Sequence, residues 1–597
     1  MNSTSTCTPE EASLKSFFLG PQAENADWMR REILTVLDHW FQWRRDFHPG
    51  DGKAISRQDQ KSELFRKRTA EFSNRLAELT GRLENEIPQF SPRYMGHMLS
   101  EISLPALLGH LAMLLHNPNI ISSESARVAS QIETEAISDL SKMLGFDPRL
   151  ALGHFTSGGT VANIEALWRA RYRADLWMSL ALKLNLDHHY EMDILDACHM
   201  GWLKYEDLRA RHEITETELR EMSSLVKNPW QMASLLRRAF GHDYAGPVVF
   251  VPNSKHYSWP KAVSLLGIGE EALWPLQLDS LGVVDTSDLE EKIDKAWKQK
   301  RPILTVVSIL GTTELGEIDP LDRIQKILDQ QKHGANRHIW HHVDAAYGGF
   351  FRTLLAETES LGADSVLSDE ARLSLEQLPL VDSVTLDPHK LGYVPYACGA
   401  LVVRDAATYR VSSFDAKYLE STTPAERWSR TLEGSRSALG AAATWMTSKT
   451  IGFTPDGYGR ILKRTMNARN ELYLALQEIT EIKLVEAGHT NLLCFHVNFN
   501  SDLRSDNVLT EELTEALNRT GEFFVSKTTL LCPQYQKLVE SHCAKNQIKM
   551  NDSQLTLVRI VIMNPFTKNR ETSFHYIQGF VETVKEQIKN LKTGAPC

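Results

Sequence analysis

Paired cysteines are missing from this 597-residue chain. Its seven cysteines, at 7, 198, 398, 494, 532, 543 and 597, are scattered and odd in number, with no CxxC. That excludes a disulfide framework and a zinc knuckle, and reduced thiols in a cytoplasmic setting are the expectation. Basic excess is missing too, since 66 Lys and Arg stand against 76 Asp and Glu, a formal charge of −10. Phosphate backbones demand a positive surface, so nucleic acid is excluded as the main partner. No apolar run approaches the roughly 20 residues of a membrane span. The opening "MNSTSTCTPEEASLKSFFLG" lacks the basic-then-apolar plan of a signal peptide. No fixed-period repeat or low-complexity tract occurs. These absences leave a soluble globular protein, expected in the cytoplasm and too long for one core.

What is present is a change of pattern along the chain. Residues 25–85 read as helical, with Met29, Ile33, Leu37 and Trp40 at helical spacing. The stretch "QFSPRYMGHMLSEISLPALLGHLAMLL" predicts a loop and an apolar helix, and 127–145 another helix. Then come short apolar runs, "GPVVFVP", "RPILTVVSIL", "RHIWHHVDAA" and "VDSVTLD", each ending at a polar or Gly turn. Helical patterns such as "SDLEEKIDKAWKQK" and "PLDRIQKILDQQK" lie between them. Such alternation predicts an α/β fold with a mainly parallel central sheet covered on both faces. Ligands of such sheets sit at the carboxyl ends of the strands. The expected division is an N-terminal helical segment over 1–120, a large α/β domain over 121–430 with a helical insertion at 175–245, and a small C-terminal α+β domain over 431–597 with strands in "NLLCFHVNFN" and "TLVRIVIMNP".

Four features fall near the predicted strand ends. "HFTSGGTVANIEALWRARYRA" is a Gly-Gly turn opening a helix, where free N–H groups and the helix dipole attract an anion. By itself it is also an ordinary Gly-rich helix start, and it meets neither the dinucleotide nor the GxxxxGK[ST] spacing. Asp344 ends the strand in "HHVDAAYGGF", and a buried carboxylate there requires a partner. The neighbouring His338, His341 and His342 mix both strand faces with no cysteine nearby, so no metal site is expected. Lys390 follows "LDPH"; burial and neighbouring cations would lower its pKa and make it a nucleophile, whereas most lysines are simply solvated. His256 in "PNSKHYSW" follows another strand end. Taken in order, an anion cradle, a flat ring, a carboxylate and an amine are the parts that pyridoxal 5'-phosphate uses.

The segments "TSGGTVAN", "KHYSW", "HVDAAYGG", "DPHKLGYVPYACGA" and "LEGSRSALGAAATW" resemble the group II pyridoxal-phosphate-dependent amino-acid decarboxylases. "SPRYMGHM", "HYSWPKA" and "HKLGYVPY" are most like the bacterial tyrosine decarboxylases among them, and the similarity covers roughly residues 85 to 570. The resemblance implies a fold type I, aspartate-aminotransferase-like enzyme and a homodimer with active sites at the interface, the N-terminal segment helping to form the dimer. It implies that Lys390 holds the cofactor covalently, Asp344 pairs with the pyridine nitrogen, and His256 stacks on one ring face with Ala346 on the other. Gly158, Gly159 and Thr160 would bind the phosphate, Thr313 would orient Asp344 or the ring hydroxyl, and Asp387 and His389 would lie beside phosphate and imine. Ser100 would lie near the substrate carboxylate or phosphate, and Tyr396 would protonate the product carbon. Arg436 would serve the partner's site, and "MNPF" at 563–566 would help line the pocket.

The implied activity is decarboxylation of an aromatic L-amino acid, tyrosine first, in the cytoplasm. The alternatives are a glutamate or histidine decarboxylase, a sphingosine-phosphate-lyase-like carbon–carbon lyase, and a dimeric binding protein without activity. Ala345-Ala346-Tyr347, where such lyases carry Cys-Leu, favours decarboxylation.

Overall fold

The computed structural model describes residues 13–355, 366–409, 411, 430–486, 488–568 and 574–593. Cys7 and Cys597 lie outside the described residues. The remaining five cysteines are buried and free.

The long apolar runs become the centre of the molecule. Strands β1 (Leu152–Thr156), β2 (Val248–Pro252), β3 (Leu273–Leu276), β4 (Ile303–Ile309), β5 (Trp340–Ala345), β6 (Ser383–Leu386) and β7 (Gly399–Val403) form one sheet in the order β1-β7-β6-β5-β4-β2-β3. Every residue of β2, β4, β5 and β6 is buried. Both faces are therefore covered, which is why these strands read as continuous apolar runs without alternation. Pairings from β3 through β6 are parallel, and β7 is antiparallel to both neighbours. β1 thus points the same way as β6. The mainly parallel α/β expectation agrees with this architecture.

β1 escaped the apolar pattern because Gly153 and His154 interrupt it. A Cβ on Gly153 would come within 2.4 Å of the Leu401 carbonyl oxygen on β7. Close strand approach, not turn formation, selects glycine there.

The N-terminal helical stretch holds two long helices, α1 (Ala26–Phe47) and α2 (Glu63–Leu83), separated by "HPGDGK" and a five-residue helix at Arg57–Lys61. Neither contains a buried residue. α3 (Leu104–His116) and α4 (Arg127–Leu144) pack with the helix Leu439–Thr450. α5 (Gly159–Leu186) runs straight through position 175, so the expected start of the insertion falls inside one helix. α5 is buried on nearly every side. The sheet covers its inner face, and the later insertion helices cover its outer face through clusters around Trp177, Leu180 and Met178.

Strands Ile482–Leu484, Leu492–Val497, Ser526–Leu531 and Gln554–Val561 form a second, four-stranded antiparallel sheet. Residues between Ala441 and Met466 still pack into the core of the large sheet, so the change of core comes later than 431. No described helix is long and apolar enough to cross a membrane.

Candidate active site

β1, β2, β4, β5 and β6 direct their carboxyl ends to one edge, and the loops leaving them surround a cleft of about 370 Å³. Gly158, Gly159, Thr160, His256, Thr313, Asp344, Ala346, Asp387, His389, Lys390 and Tyr396 all line it. Residues from Gly158 to Tyr396 in the sequence meet there because parallel strands present their ends together. The Gly-Gly turn fits tightly: a Cβ on Gly159 would lie 2.9 Å from Asp387 Oδ2 and 3.2 Å from the Ala346 methyl. A Cβ on Gly399, at the start of β7, would lie 2.5 Å from the Gly158 carbonyl carbon. The Gly-Gly turn therefore brings the start of α5 directly against Asp387 and Ala346 at the cleft wall.

Asp344 is buried. Its Oδ2 accepts from Asn163 Nδ2 at 2.7 Å, and its Oδ1 from the Ala346 N–H at 3.3 Å. Lys390 Nζ lies 3.1 Å from Asp387 Oδ2, so its immediate neighbour is an anion and not the cations expected to depress it. The other oxygen of Asp387, Oδ1, is buried without a protein partner, as is Ser254 Oγ. His389 Nδ1 donates to the Cys398 carbonyl at 2.6 Å, leaving Nε2 3.6 Å from Asp387 Oδ2. Burial lowers the His389 pKa and Asp387 partly opposes this, so the ring is neutral near pH 7. The Tyr396 ring lies against it, with centroids 4.0 Å apart and planes at 34°. Burial, reinforced by Asp387 and Tyr94, pushes the Tyr396 phenol up to about 12, so its proton stays on. His256 Nδ1 accepts the Ser258 N–H at 3.3 Å, which places the ring proton on Nε2. Burial lowers its pKa against the pull of Asp344.

Residues 241–498 match the pyridoxal-dependent decarboxylase conserved domain. The L-tyrosine decarboxylase of Levilactobacillus brevis is 29% identical over 97% of this chain and 96% of its own. That of Enterococcus faecalis is 27% identical over 98% of each. The chain thus resembles the pyridoxal-dependent decarboxylases, within the matched domain and along nearly its whole length. Among solved structures, the Oryza sativa TDC with PLP and tryptamine shares the fold at a TM-score of 0.62 and 16% identity, covering 95% of this chain and 99% of that one. Mouse CSAD in apo form does so at 0.61 and 18%, covering 95% and 98%. The decarboxylase is a carboxy-lyase acting on an amino acid, and its cofactor is pyridoxal 5'-phosphate.

Some expected residues of the decarboxylase lie elsewhere. Ser100 is not among the cleft-lining residues; its Oγ is buried without a partner, and Met98 on the same loop faces the cleft instead. "MNPF" does not line the cleft either. Met563 and Phe566 are in the core, and the Met563 carbonyl accepts the Tyr393 hydroxyl at 2.7 Å, tying down the loop after Lys390. Arg436 is buried within its own chain, paired with Glu133 at 2.5 Å and donating to the Phe155 and Ile120 carbonyls. Its two terminal nitrogens are committed within its own chain, while its buried Nε has no hydrogen-bond partner. The three histidines are structural: His341 bonds Ser308 and Gln325, His342 bonds Ser383 and Asn163, and His338 faces Asp382.

Asn163 and Ser254 were not anticipated. A buried amide just past the first turn of a helix is disfavoured by propensity, and that oddity was the available signal for Asn163.

Proposed function

We propose that this enzyme converts L-tyrosine to tyramine and carbon dioxide, as a homodimer in the cytoplasm. The carrying observation is its near-full-length similarity to L-tyrosine decarboxylases. The cleft suits an aromatic amino acid, since Met98, Val161, Tyr257, Ile309 and Tyr347 supply apolar wall beside the polar groups.

The residues fit the cofactor. The cradle at Gly158, Gly159 and Thr160 offers backbone N–H groups at the positive end of a 28-residue helix, suited to a phosphate. The unpartnered atoms Asp387 Oδ1 and Ser254 Oγ are what a site built for a polar ligand leaves behind. Lys390 would hold the aldehyde covalently, and Asp344 would keep the ring nitrogen protonated. His256 and Ala346 would flank the ring, and Thr313 would orient Asp344 or the ring hydroxyl. Bound there, pyridoxal phosphate supplies the electron sink for the bond to the departing carboxylate.

The chain's own groups would complete the reaction. Asp387, 3.1 Å from Lys390 Nζ, would balance the charge of that amine whenever it is free and protonated. Tyr396 retains its phenolic proton at neutral pH and delivers it to Cα, where a C–H bond replaces the C–C bond to carbon dioxide. Neutral His389, fixed on the Cys398 carbonyl, positions the Tyr396 ring. Ser100 would act on the substrate only through a rearrangement of the loop around Met98.

Dimerisation is supported by α1 and α2. Phe72, Leu76, Leu79 and Leu83 form an exposed stripe at helical spacing, with Phe41, Trp43 and Phe47 exposed on α1. Apolar surface of that extent calls for cover, and a second copy would supply it. Light scattering should therefore give twice the 67.6 kDa chain mass.

The activity test is incubation of the purified protein and cofactor with a mixture of L-amino acids. Tyramine is the expected principal amine. A different principal product, such as β-alanine from aspartate, would refute the substrate assignment.

A further inference from the structure

We propose that Asn163 and His342 form a directed hydrogen-bond relay that holds the Asp344 carboxylate in a fixed orientation. The proposal rests on the reading of Asp344 as the partner of the cofactor's ring nitrogen.

Alternation along β5 places Trp340, His342 and Asp344 on one face. α5 packs beneath the sheet, and its Asn163 donates Nδ2–H to Asp344 Oδ2 at 2.7 Å and to Ser258 Oγ at 3.0 Å. Both amide protons are then used. Asn163 Oδ1, which can only accept, is left 3.3 Å from His342 Nε2. That nitrogen must therefore carry the ring proton. Thr385 Oγ1, also at 3.3 Å, shares it.

His342 Nδ1 then has a free lone pair and accepts from Ser383 Oγ at 2.8 Å. Ser383, directly across on β6, accepts in turn from Trp340 Nε1 at 2.8 Å. An indole N–H only donates, so it fixes the direction of the chain. Every proton points from Trp340 through Ser383, His342 and Asn163 towards Asp344. Turning the Asn163 amide over would face its oxygen to the carboxylate and its N–H₂ to the imidazole N–H, breaking both links. Burial, reinforced by His341, holds the His342 pKa down to about 3, so the ring is neutral and no cation competes for Asp344.

The arrangement is costly, because Asn163, His342 and Ser383 are all buried and apolar side chains of similar size would pack without the desolvation. Ser258 extends the network to the other side of the cleft, since its N–H donates to His256 Nδ1. Asn163 and His342 are thus positioning residues for Asp344.

The test uses full-length Asn163→Leu, His342→Leu and His342→Gln beside the parent. Each is prepared free of cofactor, melted, titrated with pyridoxal phosphate and assayed after reconstitution. Asn163→Leu and His342→Leu should bind the cofactor about 10- to 100-fold more weakly and lose kcat to a similar degree, with KM little changed. His342→Gln keeps an N–H for Asn163 Oδ1 and should recover most of both. Asn163→Asp is isosteric and preserves packing, yet sets a second carboxylate against Asp344, and should lose at least about tenfold in cofactor affinity. Variants matching a cofactor-binding parent, or His342→Gln as impaired as His342→Leu at equal melting temperature, would overturn the relay. A parent that takes up no pyridoxal phosphate would instead overturn the reading on which the relay rests.

Discussion

Strand β6 has an aspartate at each end, and the two live in opposite circumstances. Asp382, at the amino end, accepts the His341 N–H at 2.8 Å and Arg404 at 3.2 Å, and faces His338 at 3.4 Å. Burial works against its ionisation but is outweighed by His338, Arg404 and Arg173, which hold its carboxyl well below the usual carboxylate range. Asp387, at the carboxyl end, has the Lys390 ammonium on one oxygen and no protein partner on the other. One carboxylate is used up by the fold, and the other is kept in reserve. Buried polar groups in native proteins are nearly always satisfied, so the incomplete one marks where a ligand belongs.

Substitutions at the carboxyl edge should therefore damage chemistry, and those at the amino edge should damage stability. The largest effect is expected for Lys390→Ala. The visible absorption of bound cofactor should vanish and decarboxylation fall by about 10³-fold or more, measured on reconstituted enzyme. Tyr396→Phe should retain the cofactor spectrum and lose roughly 10²–10⁴-fold in amine formation; parental turnover would remove Tyr396 from proton delivery. Asp382→Ala should cost about 3–5 kcal/mol in urea unfolding, because Arg404 and the buried Arg173 lose their counter-charge. Its cofactor affinity should stay parental, and a loss there would erase the contrast between the two ends.

Asp387→Asn should slow turnover about tenfold, through the lost counter-charge on Lys390, and should cost less in urea unfolding than Asp382→Ala, because Lys390 alone loses a charged partner. The smallest effect is on acid stability. A depressed native pKa at Asp382 contributes stability that is full above the unfolded value near 3.9 and is lost as pH falls through the lower native value. Between about pH 4 and pH 2 the parent should therefore lose stability more steeply than Asp382→Asn, as read from urea midpoints.

Much of the site could be read from the chain alone, because its parts lie beside strand ends that the apolar runs announce. Lys390, Asp344, His256 and the Gly158-Gly159 turn each follow such a run within a few residues, and a parallel sheet gathers strand ends without further instruction. Residues whose place depends on packing between distant segments could not be read in this way. Asn163 meets Asp344 only because α5 passes under β5. Ser100 and Met98 share one loop, and nothing local decides which of them turns inward. Arg436 carries a charge that suits a partner's site, but Glu133, some 300 residues away, claims it. The fold followed the same division: β2, β4, β5 and β6 stood out as apolar, while β1, interrupted by Gly153 and His154, did not and takes its place from its pairing with β7. The start of the insertion was hidden because α5 is one helix serving both the sheet and the insertion helices.

The most direct measurement is reductive trapping. Holoenzyme treated with borohydride and digested should yield a single pyridoxyl-modified peptide bearing the label on Lys390. A label on Lys255 or Lys261, which lie beside His256, or the absence of any modified lysine, would contradict the account.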